Sequence, residues 1–209
     1  GKSCEGQNAN YVSDDNMGYC YSSTYKFYVN GWRVAYIKDG SAYLVSAGAP
    51  ECMCTNSSGT AGTSCSNYES TGGIPKHLAN LNDKALKYCN QDYAYNGVCD
   101  GTSSWNINDS DYQIITTNIE TKKTLRNCYT SNNKVCGINN DLIDNGSSYW
   151  FANSYSASST DTFSWYSYAR SVSRSYSNLA SGVRPVLRLR SSVSVMSGSG
   201  TYKDPYVIE

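Results

Sequence analysis

The chain has 209 residues, 39% of them hydrophobic and only 16% charged, and its 17 basic and 17 acidic side chains give a formal net charge of zero. A chain so balanced lacks the basic stripe on which nucleic-acid binding depends, so we expect no nucleic-acid partner. The 20 tyrosines argue against disorder, because chains that stay unfolded are poor in aromatic residues. The length suffices for a buried core, and we predict a single domain over residues 1–209.

No targeting or membrane-spanning segment is visible in the sequence. No apolar run approaches the roughly 20 residues that a membrane-spanning helix needs, and the chain does not open on a signal peptide. We therefore expect membrane attachment only through a segment upstream of Gly1, which would make the sequence a mature form or an excised ectodomain.

Nine cysteines, all in the first two-thirds of the chain, indicate the compartment. Zinc sites usually contain Cys-x-x-Cys pairs and none occurs here, while the single histidine, His77, leaves a mixed Cys/His site poorly supplied. Disulfide bonds in an oxidising, extracellular setting are the better interpretation. The predicted pairs are Cys4–Cys20, Cys89–Cys99 and Cys128–Cys136, with Cys65 bonded to Cys54 or Cys52 and one thiol left over.

The first predicted elements are an irregular lead-in and a β-hairpin. Residues 1–25 are rich in Gly, Asn, Ser and Tyr and would be stapled by the first predicted disulfide. Strands are predicted at 26–30, 31–37 and 41–46. Aromatic and β-branched residues alternate on both sides of Asp39-Gly40, which is a strong hairpin signal. Trp32 and Tyr43 are expected to help seed the core.

The helices and cysteine loops are predicted in the rest of the section 26–148. Apolar residues recur at helical spacing after Pro75 and predict an amphipathic helix at 77–92, with His77 as a cap-region or surface residue near its start. Asn108 is a good N-cap, and the acidic residues after it suit a helix N-terminus, so a short helix is predicted at 109–117. Residues 118–148 read as loop.

From Tyr149 to Glu209 we predict a Tyr/Ser-rich β region. Its strands are predicted at 149–154, 163–172, 183–190 and 205–208. Trp150 is expected in the core, and Arg184 is expected to be a buried or half-buried arginine that bonds loop carbonyls through its planar guanidinium. The predicted fold class is thus α+β, a disulfide-stapled domain with an antiparallel sheet and one or two helices.

The same region has the composition of a binding surface. Ser and Tyr fill 18 of the 35 positions between Ser147 and Ser181. Tyrosine supplies rigid contact area and serine supplies adaptable hydrogen bonds, as in antibody paratopes, although an ordinary Ser-rich surface explains the composition equally well. The residues assigned to ligand binding are Tyr155, Trp165, Tyr166, Tyr168, Arg170, Arg174 and Tyr176. Of these, the aromatic residues are expected to divide between packing and an exposed patch.

Catalysis is not expected. A nucleophile–base arrangement would have to be built around His77 alone. Paired carboxylates among Asp141, Asp144 and Asp161 could support glycoside hydrolysis, but turn and capping roles are favoured. With Asn139, Asn140 and Asn145 these residues could also supply oxygen ligands to Ca²⁺, the one cofactor considered, and Asx-turns explain the segment equally well.

Several motifs resemble a domain of secreted proteins from gut Firmicutes and Mollicutes that often follows a type IV prepilin-like helix. The motifs are Trp32-Arg-Val34, Tyr43-Leu-Val-Ser46, Leu81-Asn-Asp-Lys-Ala-Leu86, Asn140-Asp-Leu-Ile-Asp-Asn-Gly146, Tyr149-Trp-Phe-Ala152, Gly182-Val-Arg-Pro-Val-Leu-Arg-Leu189 and Gly198-Ser-Gly-Thr-Tyr-Lys-Asp-Pro-Tyr206. The Tyr-Trp and Gly-Val-Arg-Pro frame also resembles the C-type-lectin-like fold of formylglycine-generating enzymes and retroelement-diversified receptors. The late cysteine pair of those enzymes is missing, since no cysteine follows Cys136.

The resemblance implies a C-type-lectin-like or pilin-type globular fold and a role in adhesion or display at a bacterial surface or pilus. The expected partner is a glycan or protein on a host or bacterial surface. The competing prediction is a structural filament subunit whose tyrosines pack against like subunits and bind no separate ligand. The hydrophobic helix that pilus assembly requires is not among these residues.

Overall fold

The computed structural model describes residues 10–14, 17–21, 26–28, 31–49, 51–53, 73–116, 124–131, 136, 140, 142–145, 148–155, 161–177, 181–201 and 204–209. Within 10–28 and 51–53 the description covers the backbone alone. The strands are β1 Asn10–Asp14, β2 Met17–Tyr21, β3 Lys26–Tyr28, β4 Trp32–Lys38, β5 Ser41–Ser46, β6 Glu51–Met53, β7 Ser104–Asn106, β8 Tyr149–Ser154, β9 Asp161–Tyr166, β10 Ser171–Tyr176, β11 Ser181–Val183, β12 Pro185–Arg188, β13 Val195–Ser197 and β14 Val207–Ile208. The helices are α1 Gly73–Leu86, α2 Asp109–Thr116 and α3 Leu125–Thr130, and a 3-10 turn spans Tyr95–Gly97.

The strands form sheets that are almost entirely antiparallel. Their orders are β1-β2-β3, β10-β9-β8-β11-β6, β4-β5-β12-β7 and β13-β14. The exception is β11, which runs parallel to β8 where Gly182 pairs with Tyr149. The predicted α+β class with antiparallel pairing and few helices is confirmed, although the strands divide among several sheets.

The hairpin β4–β5 forms where the Asp-Gly signal predicts it. Asp39 and Gly40 both have positive φ, 50° and 72°, as the favoured two-residue hairpin turn requires. Tyr43 is buried in the core, as predicted. Trp32 is only half-buried and lies on the opposite face of the sheet, so the expectation that it seeds the core is wrong.

The five-stranded sheet is covered on both faces, and β8 shows this most clearly. Tyr149 and Phe151 are fully buried in the main core, which also holds Tyr43 and Val186 of the four-stranded sheet. Trp150 is equally buried on the other face, against Leu81 of α1. Adjacent strand residues point to opposite faces, so three consecutive large aromatics are buried only because both faces are covered.

One helix prediction needs correction at both ends, a second helix lies where it was predicted, and a third helix lies in a segment predicted as loop. The helix predicted at 77–92 spans Gly73–Leu86. The backbone then tightens, with the Cys89 amide donating to the Leu86 carbonyl oxygen, and turns into the loop closed by the Cys89–Cys99 disulfide. Helix α2 lies at its predicted place. Helix α3 arises in a segment predicted as loop, where Thr124 caps it by accepting the Asn127 amide.

The strands predicted at 163–172 and 183–190 are each interrupted. The first is a hairpin whose turn, 167–170, ends on Arg170 at φ 49°. The second is two strands, because the chain crosses at Arg184 from the five-stranded sheet to the four-stranded one. The predicted terminal strand is β14, which pairs with β13.

Two predicted disulfides, Cys89–Cys99 and Cys128–Cys136, are formed. The other predicted pairs involve Cys4, Cys20, Cys54 and Cys65, whose side chains lie outside the described residues. Among the helices described, none is long and apolar enough to cross a membrane.

Candidate functional site

The candidate binding residues lie on and beside the hairpin β9–β10, which forms one edge of the five-stranded sheet. Its register pairs Tyr166 with Ser171 at the turn and Asp161 with Tyr176 at the open end. Directly opposed residues share a face of the sheet. The hairpin can therefore be described in three parts: a middle, a turn end and an open end.

The middle of the hairpin belongs to the core. Trp165 and Val172 are opposed and fully buried, and Phe163 is 3% exposed. Trp165 was assigned to ligand binding, and its burial places it among the residues that pack instead. Its substitution would disturb the core, so it is not a suitable probe of binding.

The turn end carries an exposed group that we call the turn cluster, made of Tyr166, Tyr168 and Arg170. Tyr166 is 48% exposed and Tyr168 83% exposed, and their ring centroids lie 6.3 Å apart. Arg170 Nε lies 2.5 Å from Asp144 Oδ2. The turn is anchored because Ser148 Oγ accepts the Ser167 amide. Two tyrosines are thus presented to solvent on a fixed turn.

The open end carries a second group, the strand-end cluster, made of Arg126, Tyr155, Arg174 and Tyr176. The guanidinium carbons of Arg126 and Arg174 lie 5.1 Å and 5.2 Å from the centroid of the Tyr155 ring, within the range of a cation–π interaction. Arg174 is also 3.4 Å from Asp161 Oδ2. Tyr155 is half-buried against Phe163, and Tyr176 is 60% exposed.

The structure does not bring the seven assigned residues into one surface. Tyr176 lies five residue steps along β10 from Ser171, the residue opposite Tyr166, which corresponds to about 17 Å at about 3.4 Å per step. The side chain of Tyr166 also points to the opposite face of the sheet from those of Arg174 and Tyr176. Tyr166 shares a face with its partner Ser171, and Arg174 and Tyr176 lie an odd number of residues beyond Ser171. The site is therefore two clusters divided by a buried middle.

Arg126 is the functional candidate that sequence reasoning missed. It lies on α3, which packs against β10, and its terminal nitrogen donates a hydrogen bond to the Tyr155 carbonyl oxygen. The only local signal was the cap at Thr124, which is weak because the helix it begins has six residues. Nothing in the local sequence links Arg126 to Tyr155, 29 residues away.

Arg184 has the buried, carbonyl-bonding role predicted for it. Its guanidinium is fully buried and donates to the Ser46 carbonyl oxygen at 2.9 Å and to the Leu142 carbonyl oxygen at 2.7 Å. The Tyr149 ring lies beneath it, 4.6 Å from the guanidinium carbon. Burial lowers the pKa of Arg184 and raises that of Tyr149. Arg184 thus ties the sheet crossing to the end of β5 and to the loop at Leu142.

The residues considered for catalysis or calcium are placed as follows. Asp144 and Asp161 pair with Arg170 and Arg174, and Asp141 and Asn139 lie outside the described residues. His77 is fully buried inside α1, which corrects the expectation of a cap or surface position.

The asparagines near these carboxylates make structural hydrogen bonds. The Asn140 side chain accepts the Leu142 amide in an Asx-turn and donates to the Ile115 carbonyl oxygen, and Asn145 donates to the Ala47 carbonyl oxygen. Within the described part of the chain, no three His, Cys, Asp or Glu side chains are grouped as metal ligands.

Comparison of the chain with protein-family models, with curated proteins and with solved structures finds no match. The resemblance to prepilin-like and C-type-lectin-like domains therefore stays a prediction from the motifs alone.

Proposed function

We propose that this chain is an extracellular recognition domain that binds a glycan or protein on a bacterial or host surface. Disulfides persist in oxidising compartments, and Cys89–Cys99 and Cys128–Cys136 are both formed. The pilus-associated or C-type-lectin-like identity that the motifs imply is part of the proposal.

The observation that carries the proposal is the exposed pair Tyr166 and Tyr168. A folded domain gains nothing in stability from leaving a tyrosine 83% exposed beside another that is 48% exposed. Tyrosine rings of this kind give a binding surface large contact area at low cost in side-chain entropy. The turn cluster is thus the primary contact in the proposal, and its rings suit the apolar face of a sugar or a protein surface.

The strand-end cluster is proposed as a second contact for acidic groups. Arg126 and Arg174 bring two positive charges to one tyrosine, and among the described residues Asp161 is the one carboxylate paired with either of them. A surplus positive charge beside aromatic rings favours the carboxylates of acidic glycans. The proposal is one of binding and not of catalysis, since Asp144 and Asp161 are engaged by arginines and His77 is buried.

The test is binding of the folded, disulfide-intact chain to arrays of glycans, mucins and surface proteins, with and without calcium. We expect a Tyr166→Ala/Tyr168→Ala variant to lose at least tenfold in binding. An Arg174→Gln/Tyr176→Ala variant on the same hairpin is the matched control and should weaken only acidic ligands. Absence of binding by the wild-type chain on every array would contradict the proposal.

A second candidate function, a self-assembling structural subunit, is favoured by the ribbon β13–β14. Its exposed apolar side chains are Val195, Met196, Tyr206 and Val207, each 49–61% exposed. Contiguous exposed apolar residues mark interaction surfaces. Sedimentation over a range of concentrations should then show assembly that a Met196→Lys/Val207→Lys variant abolishes, whereas a monomer at all concentrations would exclude it.

A further inference from the structure

A groove lies away from the hairpin β9–β10, on the outer face of the four-stranded sheet. Leu44 and Leu187, which are opposed across β5 and β12, form its floor, because Val45 and Val186 beside them point into the core. Its volume is about 230 Å³. The other lining residues that matter to the argument are Trp32, Tyr88, Asn90 and Tyr93.

The aromatic walls of the groove are held in place before any ligand arrives. The Cys89–Cys99 disulfide closes the segment that carries Tyr93. The Tyr93 carbonyl oxygen accepts the Arg190 amide at 2.9 Å, which fastens this segment to the chain just beyond β12. Trp32, Tyr88 and Tyr93 are all half-buried, so each keeps part of its side chain accessible. A preformed concave site lined by aromatic residues is the usual form of a small-molecule site.

The groove presents no charge to a ligand. Among the described residues that line it, Arg188 alone is charged. The Arg188 side chain lies with Tyr43 on the core face of the sheet, opposite the face formed by Leu44 and Leu187. A charged ligand would therefore lose water without gaining a partner, which is costly. The ligand that fits this groove is neutral.

Two lining residues nevertheless carry N–H donors that the described protein leaves without an acceptor. Asn90 is exposed at the rim, and its Oδ1 accepts the Asp92 amide at 2.8 Å, which fixes the side-chain amide while its nitrogen keeps both donors. The indole nitrogen of Trp32 also has no acceptor among the described residues, and unlike that of Trp165 it is not buried. These donors favour a ligand whose edge carries oxygen atoms.

An apolar floor, aromatic walls and donors on lining residues together match a sugar ring that bears a methyl group. A pyranose has C–H bonds on its faces, which pack on aromatic rings, and hydroxyl oxygens around its edge, which accept hydrogen bonds. A hydroxymethyl group would bring its oxygen against Leu44 and Leu187, whose side chains offer it no partner, whereas a methyl group needs none. A hydrocarbon side chain would fill the groove but leave the donors of Asn90 unbonded.

We propose that the groove binds a single neutral 6-deoxyhexose unit of a glycan. The methyl group would pack on Leu44 and Leu187, a face of the ring would pack against the aromatic walls, and a hydroxyl oxygen would accept from Asn90. A volume of about 230 Å³ is below the roughly 300–1,000 Å³ of sites for drug-sized ligands and suits one ring. The inference rests on the proposed recognition of a glycan and adds a sugar class and a site separate from the turn and strand-end clusters.

The test is an NMR titration of the full wild-type chain with L-fucose and L-rhamnose. Their parent sugars, L-galactose and L-mannose, differ only by a hydroxymethyl group in place of the methyl group. We expect saturable binding of at least one 6-deoxyhexose, at least about fivefold tighter than that of its parent. No saturable binding of either 6-deoxyhexose, or affinities equal to those of the parents, would overturn the proposal. Tighter binding of benzyl alcohol than of both 6-deoxyhexoses would also overturn it and identify an apolar protein side chain as the occupant.

Variants then locate the site. Asn90→Asp keeps an acceptor for the Asp92 amide and removes the amide donors, so it should weaken the 6-deoxyhexose at least fivefold. Asn96→Asp makes the same change of charge at an exposed position of the same disulfide loop that does not line the groove, and it should leave the affinity unchanged. Trp32→Ala should abolish saturable binding. Unchanged affinity in folded Asn90→Asp and Trp32→Ala would place the sugar elsewhere and overturn the assignment.

The Tyr166→Ala/Tyr168→Ala variant separates this proposal from that of the recognition surface. It should bind the 6-deoxyhexose as the wild-type chain does. If it also keeps every ligand found on the arrays, the recognition surface is contradicted and the groove is supported. If it loses an array ligand while the wild-type chain binds no 6-deoxyhexose, the groove proposal alone fails.

Discussion

Arg184 and Arg188 lie four residues apart in the sequence, but their guanidinium groups have different kinds of partner. Arg184 is fully buried, and its nitrogens donate to the carbonyl oxygens of Ser46 and Leu142. Arg188 is half-buried and is held by the rings of Tyr43 and Tyr95. The first arrangement is typical of a structural arginine, since burial of the cation is offset by fixed acceptors. In the second, aromatic rings stabilise the cation in place of oxygen acceptors.

His77 is the buried residue whose environment makes stability depend on pH. Its ring packs edge-on against Trp150, with centroids 5.1 Å apart, and both nitrogens are buried without a partner among the described residues. Burial lowers its pKa from 6.5 to about 4. The unfolded chain therefore binds this proton more readily than the folded chain, and stability should fall as the pH drops from about 6.5 to about 4.

We predict that this effect reaches about 3 kcal/mol at the acid end of the window, from about 1.4 kcal/mol for each pH unit between the two pKa values. A His77→Met variant keeps an apolar side chain beside Trp150 and has no proton to bind. Chemical denaturation at pH 7.5 and pH 4.5 should show a smaller loss of unfolding free energy in the variant. An identical loss in both proteins would contradict the prediction and assign the acid sensitivity to carboxylates.

At the scale of elements, the hairpin β9–β10 and the crossing from β11 to β12 determine where the candidate site lies. The hairpin has a buried middle and two accessible ends, so its binding residues fall into two clusters. The crossing at Arg184 joins the two sheets around the main core. Strand β11 lies between β8 and β6, and neighbouring atoms approach its glycine, Gly182, closely.

Gly182 is required by this close approach. A Cβ atom added there would lie 2.5 Å from the Ala49 Cβ and 2.8 Å from the Ser148 carbonyl oxygen. Gly182→Ala should therefore separate the strands and lower the unfolding free energy by about 1–3 kcal/mol, as overpacking usually does. Gly101→Ala is the matched control, because no atom lies within 4 Å of its added Cβ. Equal denaturation midpoints for the two variants would show that β11 can shift without cost.

At the scale of the whole molecule, two bodies of packed side chains lie on opposite faces of the five-stranded sheet. The larger one contains the Cys128–Cys136 bond, whose sulfur atoms are buried. The smaller one lies under α1 and consists of Leu81, Trp150 and Val183. The Cys89–Cys99 bond is outside both clusters and closes the loop that follows α1.

The two disulfides give a prediction for the whole chain. A non-reduced peptide map should contain Cys89–Cys99 and Cys128–Cys136 as separate pairs. A Cys89→Ser/Cys99→Ser variant should lose about 3 kcal/mol of unfolding free energy, the chain-entropy value for a loop of about ten residues. The map with Cys128 bonded outside its local loop, or a variant as stable as wild type, would contradict this account.

Local pattern alone was enough for several of these features. The Asp39-Gly40 turn, the helix after Asn108, the strand at Tyr149–Ser154 and the two local disulfides all follow from residues close together in sequence. Each depends on backbone preferences or short loop closure, which a short segment expresses by itself.

Tertiary packing decided the rest. Packing of the main core against one face of β9 removed Trp165 from the surface, because the period of a strand shows which residues share a face and not whether that face is covered. The turn at Arg170 contains no glycine that would mark it in the sequence. In the folded chain Arg170 has a positive φ and its side chain pairs with Asp144. The contacts of Arg126 with Tyr155 and of Arg188 with Tyr95 join residues distant in sequence. Only the folded chain brings such groups together, so the candidate sites are properties of the tertiary structure.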